Sequence, residues 1–213
     1  MVEPTELHSH TAKLWDTLDF INTLDWGRNG WTDKIETAPV AVAWFASRGL
    51  AHAHPELADN PRTLERIRAV RAALRDITEA IANDRPAPRQ ALAEANRALR
   101  ARSVLELVPS DTGVAPSHRH VGNPIEDALA RLVEALAVET AAGHPERLRI
   151  CDSETCRWVF YDQSRTGRRR WCDMSTCGNR AKAARHRAKQ RSPVEVGIAF
   201  APVAPDDRPS VTG

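Results

Sequence analysis

Four cysteines constrain this chain more than any other feature. Cys151, Cys156, Cys172 and Cys177 are the only ones among its 213 residues. They read C-x4-C, fifteen residues, C-x4-C. In a reducing compartment disulfides are disfavoured, and a cluster of this kind points to a metal. Four thiolates in two pairs suit tetrahedral Zn²⁺ in a closed, structural site with no position left for catalytic water. Two disulfides in an exported protein, or four unrelated buried thiols, are the alternatives. The N-terminus has no basic stretch followed by an apolar one, which argues against export and for a cytoplasmic protein.

Charge is concentrated where the cysteines are. Residues 146–191 carry 13 Lys/Arg and 5 Asp/Glu, although the whole chain has a net charge of only +2. The remainder is therefore mildly acidic. Such asymmetry points to a polyanionic partner for the basic segment. The chain has 42% hydrophobic residues, enough for a real core, and no apolar run near the roughly 20 residues of a membrane span.

Between the cysteine pairs, the run Arg157 to Ser164 is aromatic and β-branched and predicts a strand, with Arg149-Ile150 as its partner. Gly167 marks a turn before Arg168, Arg169 and Arg170. A helix is expected from near Cys177 to Arg191, stopping before Ser192-Pro193. Ala181, Ala184 and Ala188 would form a thin stripe packed on the zinc module. Arg180, Lys182, Arg185, Arg187, Lys189 and Arg191 cover the rest. A helix of this width fits the DNA major groove, where Arg pairs with guanine, while Arg168, Arg169 and Arg170 suit phosphates.

The tetrapeptide Cys177-Gly178-Asn179-Arg180 resembles the signature of the CGNR zinc-finger family. So do its surroundings, Cys151, Cys156-Arg157-Trp158-Val159-Phe160-Tyr161-Asp162, Arg170-Trp171-Cys172, Ala181-Lys182 and Arg185-His186-Arg187. Members are described as transcription regulators, often stress-related. The resemblance implies one structural zinc ion on the four cysteines and binding of double-stranded DNA by the module. His186 joins the candidate DNA contacts with the cations of its helix. Asn179 and Arg180 are candidate base readers, or else structural, with Asn179 capping the helix and Arg180 bridging to Asp173.

Residues 1–145 read as a mostly helical domain. Helices are expected over 38–50, from Pro61 through Ala82, after Pro88 through Leu92, Ala95 and Leu99, and from Pro124 through Leu136. In the second, Leu64, Ile67, Val70, Leu74, Ile77 and Ile81 form one stripe. Leu105–Val108 and Val114–Val121 predict two short strands. Gly143-His144-Pro145 predicts a joint to the zinc module, and residues 192–213 a Pro-containing tail. The fold class is thus mostly α, or α+β: a helical N-terminal domain with a small β-hairpin, then a treble-clef-like zinc module with a basic helix.

Phe20-Ile21-Asn22-Thr23-Leu24-Asp25-Trp26 resembles the start of the ABATE domain that often precedes this finger. That implies a sensor of a small-molecule effector or stress; Asn22, Asp25, Trp26 and Trp44 are pocket candidates on their residue types, with tryptophans that simply fill the core as the alternative. The histidine pairs His8/His10, His52/His54 and His118/His120 offer a second metal site, with solvated loops as the alternative. No catalytic motif is present, and Glu126, Asp127, Glu134 and Glu139 read as surface charges, so the chain is not expected to be an enzyme. An RNA-binding or ribosome-associated protein and a protein-interaction zinc module are the competing readings. A homodimer is expected because one small module reads little sequence. The acidic N-terminal part could also shield the basic helix.

Overall fold

The computed structural model describes residues 14–27, 30–51, 55–100, 103–110, 113–120 and 123–191. Residues 14–21 form α1, followed by β1 (Leu24–Gly27) and β2 (Gly30–Asp33). Then come α2 (Ala38–Ser47), α3 (Pro55–Ala58), α4 (Pro61–Ala82) and α5 (Arg89–Leu99). A second hairpin, β3 (Ser103–Ser110) and β4 (Gly113–His120), leads to α6 (Pro124–Ala142). The C-terminal part has β5 (Leu148–Ile150), β6 (Val159–Tyr161), a π turn (Met174–Gly178) and α7 (Asn179–Arg191). Each strand pair is antiparallel.

Local chemistry starts the long helices. Asn60 and Asn123 cap α4 and α6, accepting from Arg62 N at 3.0 Å and Ile125 N at 2.9 Å, and each is followed by proline. Thr37 caps α2 in the same way. The apolar stripe of α4 faces inward as its spacing predicts, with Ile67, Val70 and Leu74 buried and Leu64, Ile77 and Ile81 packed around them. Phe20, Phe45, Leu129 and Leu132 fill the space between α1, α2 and α6. In α5 the buried face is Ala91, Ala95 and Ala98, while Leu92 and Leu99 are exposed. The small residues let α5 lie close to its neighbours, and this leaves the leucines outside.

Two arginines on α4 interrupt the apolar pattern. Arg71, 4% exposed, makes a bidentate pair with Asp33 at 2.7 and 2.9 Å and also reaches Thr23. Arg75, 8% exposed, pairs with Glu79 at 3.0 Å and lies over the Trp31 ring. Together they fasten the β1–β2 hairpin to α4. Trp26 and Trp31 face each other across that hairpin, ring centroids 4.9 Å apart.

The expected joint at Gly143-His144-Pro145 is followed at once by buried structure. The chain makes a single 3₁₀ turn, Pro145–Arg147, and enters β5, whose Leu148 is fully buried in the N-terminal core. Val159 of β6 lies in that same core, with Ile150 and Tyr161 packed against it. Phe160, on the opposite face of β6, packs with Cys151 and Cys177 instead. The β5–β6 hairpin is therefore a wall shared by both parts.

The strand expected over 157–164 is shorter than its composition suggests, because Arg157 adopts a left-handed conformation at φ +55 and Asp162 turns the chain. The alanine stripe of α7 also behaves differently from expectation. Ala181 is half-buried, but Ala183, Ala184 and Ala188 are exposed. The helix leaves the π turn and projects away from the zinc module. No described helix is long and apolar enough to cross a membrane.

Candidate metal centre and its basic flank

Three segments bring the cysteines together. Cys151 follows β5 directly, and its N–H donates to Trp158 O at 2.8 Å, closing the first knuckle. Cys156 ends the turn in which its own N–H and that of Arg157 both donate to Ser153 O. Cys172 arrives from the arginine-rich loop, and Cys177 sits in the π turn that starts α7. The order of knuckle, hairpin and a helix whose first turn supplies a ligand is treble-clef-like.

All four Sγ atoms lie within 4.8 Å of one another. Cys156 and Cys172 are 3.6 Å apart at sulfur, and Cys172 and Cys177 3.9 Å. A tetrahedron with Zn–S bonds of ~2.3 Å places its sulfurs about 3.8 Å apart. The donor set and its spacing therefore fit a four-thiolate zinc site. The thiols share protons within the cluster: hydrogen bonding from Cys156 and Cys172 holds Cys151 well below the usual thiol range, and the bond to Cys151 pushes Cys156 above it. A bound cation replaces those protons and allows all four to ionise.

Asp162 organises the long loop between the ligand pairs. It is fully buried and accepts from Ser164 N at 2.9 Å and Arg169 N at 2.7 Å. Burial pushes its carboxyl up, but the bonds from Ser164 and Arg169 outweigh that and hold it below the usual range. Arg147 braces the same loop through the carbonyls of Asp162 and Ser164.

The signature tetrapeptide has a local structural explanation. Cys177 is a ligand candidate, and Gly178 is buried in the turn. Asn179 Nδ2 donates back to Ser175 O at 3.0 Å, while Asp173 caps the turn by accepting from Thr176 N at 2.7 Å. Arg180 reaches Thr155 Oγ1 at 2.6 Å rather than Asp173, tying the helix start to the first cysteine knuckle. Both side chains proposed as base readers are thus engaged in holding the turn.

Beyond Arg180 the helix is open. Lys182, Arg185, His186, Arg187 and Lys189 are exposed, and Arg191 ends α7. Among the described residues no ion pair joins α7 to the acidic N-terminal part. Arg168 is exposed. Arg169 donates to Cys172 O at 2.5 Å and lies over Phe160, and Arg170 pairs with Asp152 at 2.6 Å.

Three of the four residues proposed as a ligand pocket, Asn22, Asp25 and Trp26, lie at the seam between the two parts. Asn22 makes a two-way bond with β6, donating to Val159 O at 2.9 Å and accepting from Val159 N at 3.0 Å. Asp25 accepts from Trp158 Nε1, and Trp26 Nε1 donates to Glu154 O, each at 2.5 Å. Arg75 adds a bond to Arg157 O at 2.8 Å. Trp44 is half-buried beside Phe20 and Phe45. Asn22 and Trp26 spend their side-chain polar atoms on the zinc module, and Asp25 divides its carboxylate between Trp158 and Lys34, at 3.0 Å from the latter.

His8/His10 and His52/His54 lie outside the described residues, as do the side chains of His118 and His120 on β4. Glu126 is bonded to Arg66 at 2.7 Å, and Asp127 is buried, pairing with Arg131 at 3.1 Å, so neither is a free surface charge. Sequence reasoning missed Arg71, Arg75, Arg149 and Asp162, whose roles depend on partners distant in the chain or on burial.

A helical domain fused through a shared hairpin to a four-cysteine zinc-finger module is the class this geometry defines. The chain belongs to the ABATE family, described as "Putative stress-induced transcription regulator", which matches residues 17–149. The CGNR zinc finger matches residues 147–190. The two matches overlap on β5, the strand that both parts share. No curated protein matches the chain.

Proposed function

We propose that the protein is a zinc-dependent, DNA-binding transcription regulator whose N-terminal domain senses a small-molecule effector or stress. One observation carries the reading: α7 is strongly cationic, exposed from Lys182 to Gln190, and anchored at its first turn to the four-cysteine cluster. A helix that buries almost nothing gains little from folding onto its own protein, so its charge answers to a partner. Its width, ~10–12 Å with side chains, matches the B-DNA major groove.

In this reading one zinc ion on Cys151, Cys156, Cys172 and Cys177 fixes the direction of α7. Lys182, Arg185, His186, Arg187, Lys189 and Arg191 face the duplex. Arg168 is free for a phosphate, while Arg169 and Arg170 reach one by exchanging their present partners. Asn179 and Arg180 support the turn. The seam of Asn22, Asp25, Trp26 and Arg75 against residues 154–159 supplies a mechanical route from the N-terminal domain to the module. A homodimer would double the sequence read.

Selection from a random duplex library tests this, with the zinc-loaded protein and again after chelation. A defined site, lost on chelation and palindromic for a dimer, is expected. Retention of all sequences alike, or a preference for single-stranded RNA, would overturn the assignment.

A further inference from the structure

Between the C-terminal end of α4 and the zinc module lies a cleft of about 460 Å³. Its cations come from three separate segments: Arg149 from β5, Arg157 from the first knuckle, and Arg168 with its two neighbours from the long loop. Arg170 is neutralised by Asp152. Among the described residues Arg149, Arg157 and Arg168 have no carboxylate partner. Arg149 spends one donor on Gly167 O at 2.5 Å, and its Nε is shielded from water without any hydrogen-bond partner. Arg157 holds its position at φ +55, a conformation in which arginine is strained, secured by Arg75 on its carbonyl.

Five guanidinium groups line one concavity against the two carboxylates of Asp152 and Glu154, so an excess of positive charge remains there. A dense, multivalent oxyanion offsets that excess and matches the planar donor geometry of guanidinium. We propose that this cleft is a phosphate-binding site, formed chiefly by Arg149, Arg157 and Arg168. The phosphate belongs either to a free phosphorylated compound or to the DNA backbone. Asn83, at the end of α4, and Ser153 supply polar groups for whatever the phosphate is attached to. The occupant touches both α4 and the first cysteine knuckle, so binding braces the zinc module against the N-terminal domain. This goes beyond the proposed reading by α7 and shares Arg168 with it, but the pyrophosphate titration does not depend on that reading.

Calorimetric titration of the zinc-loaded full-length protein with pyrophosphate, at constant ionic strength in chloride, tests the site. Saturable binding is expected. Arg157→Gly relieves the left-handed backbone while removing the cation, so it leaves folding intact, and Arg168→Gln alters an exposed side chain. Each should weaken binding at least about tenfold with zinc content unchanged, whereas Arg185→Ala with Arg187→Ala on α7 should leave it unaltered. No saturable binding, wild-type affinity in either cleft variant, or loss in the α7 variant instead would overturn the proposal. Adding a short duplex then separates the sources: competition identifies a backbone phosphate in the cleft, and simultaneous binding a free phosphorylated ligand. If the duplex does not bind at all, the regulator reading fails while the pyrophosphate result still stands.

Discussion

The N-terminal domain and the zinc module solve the same problem by different means. The former buries a continuous core, from Leu14 and Phe20 through Ile67 and Leu74 to Leu129 and Leu132. The latter buries only Cys151, Phe160 and Cys177 around its own centre. Apolar burial stabilises the first by the usual ~25 cal/mol per Å². Three small contributions of that kind cannot order a loop of ten residues and a thirteen-residue helix. On the proposed zinc loading, the module would rest on the metal for its far side and on the neighbouring domain for its near side. That division explains why β5 and β6 belong to both.

The largest test of this contrast is Cys172→Ser. Structural zinc supplies roughly 10–16 kcal/mol of apparent binding energy. Loss of one ligand should abolish tight zinc binding and the helical signal of α7 while leaving the N-terminal domain folded, read by zinc quantification and far-UV circular dichroism. Unchanged zinc content would break the comparison.

Asp33→Ala acts on the other side. It strands the buried cation of Arg71 and should cost about 3–5 kcal/mol in chemical unfolding. Burial pushes the Asp33 carboxyl up, but the Arg71 bond and charge outweigh it, so the folded-state value is depressed. Its contribution is present in full above the ordinary value of about 3.9 and is lost as pH falls below that through the depressed one. The variant should therefore lose less stability than the wild type on acidification from pH 5 to pH 3. An identical slope would show that Asp33 carries none of the acid sensitivity.

Asp162→Ala removes two backbone hydrogen bonds to a buried charge, an effect of about 2–3 kcal/mol. Because those bonds shape the loop between ligand pairs, zinc affinity should fall with stability. A loss of stability without any change in zinc affinity would separate loop from metal. Asn22→Leu is smaller, about 1–2 kcal/mol, and leaves the two Val159 groups unpaired. It should loosen the seam, raising amide exchange at residues 154–161 more than in α6.

Much of this was legible in the sequence where the signal is local. Pro61 and Pro124 with their asparagine caps, the stripe of α4 and the cysteine spacing each specify their own geometry. The β1–β2 hairpin went unread, although Asn29-Gly30 is a turn signal between Trp26 and Trp31; Trp26 was weighed only as a pocket or core residue. What could not be read is long-range pairing. Nothing near Asn22 in the chain announces Val159, and nothing near Arg75 announces the carbonyl of Arg157. The exposed alanines of α7 show the same limit, because spacing marks a face without saying what covers it.

Hydrogen exchange, followed residue by residue with and without a zinc chelator, tests the central contrast most directly. Chelation should remove protection from residues 162–191 while α4 and α6 keep theirs, with β5 and β6 intermediate because they lie in both cores. Equal loss of protection throughout, or none in α7, would contradict the account: the first would make the metal the support of the whole fold, the second would show that α7 needs no metal.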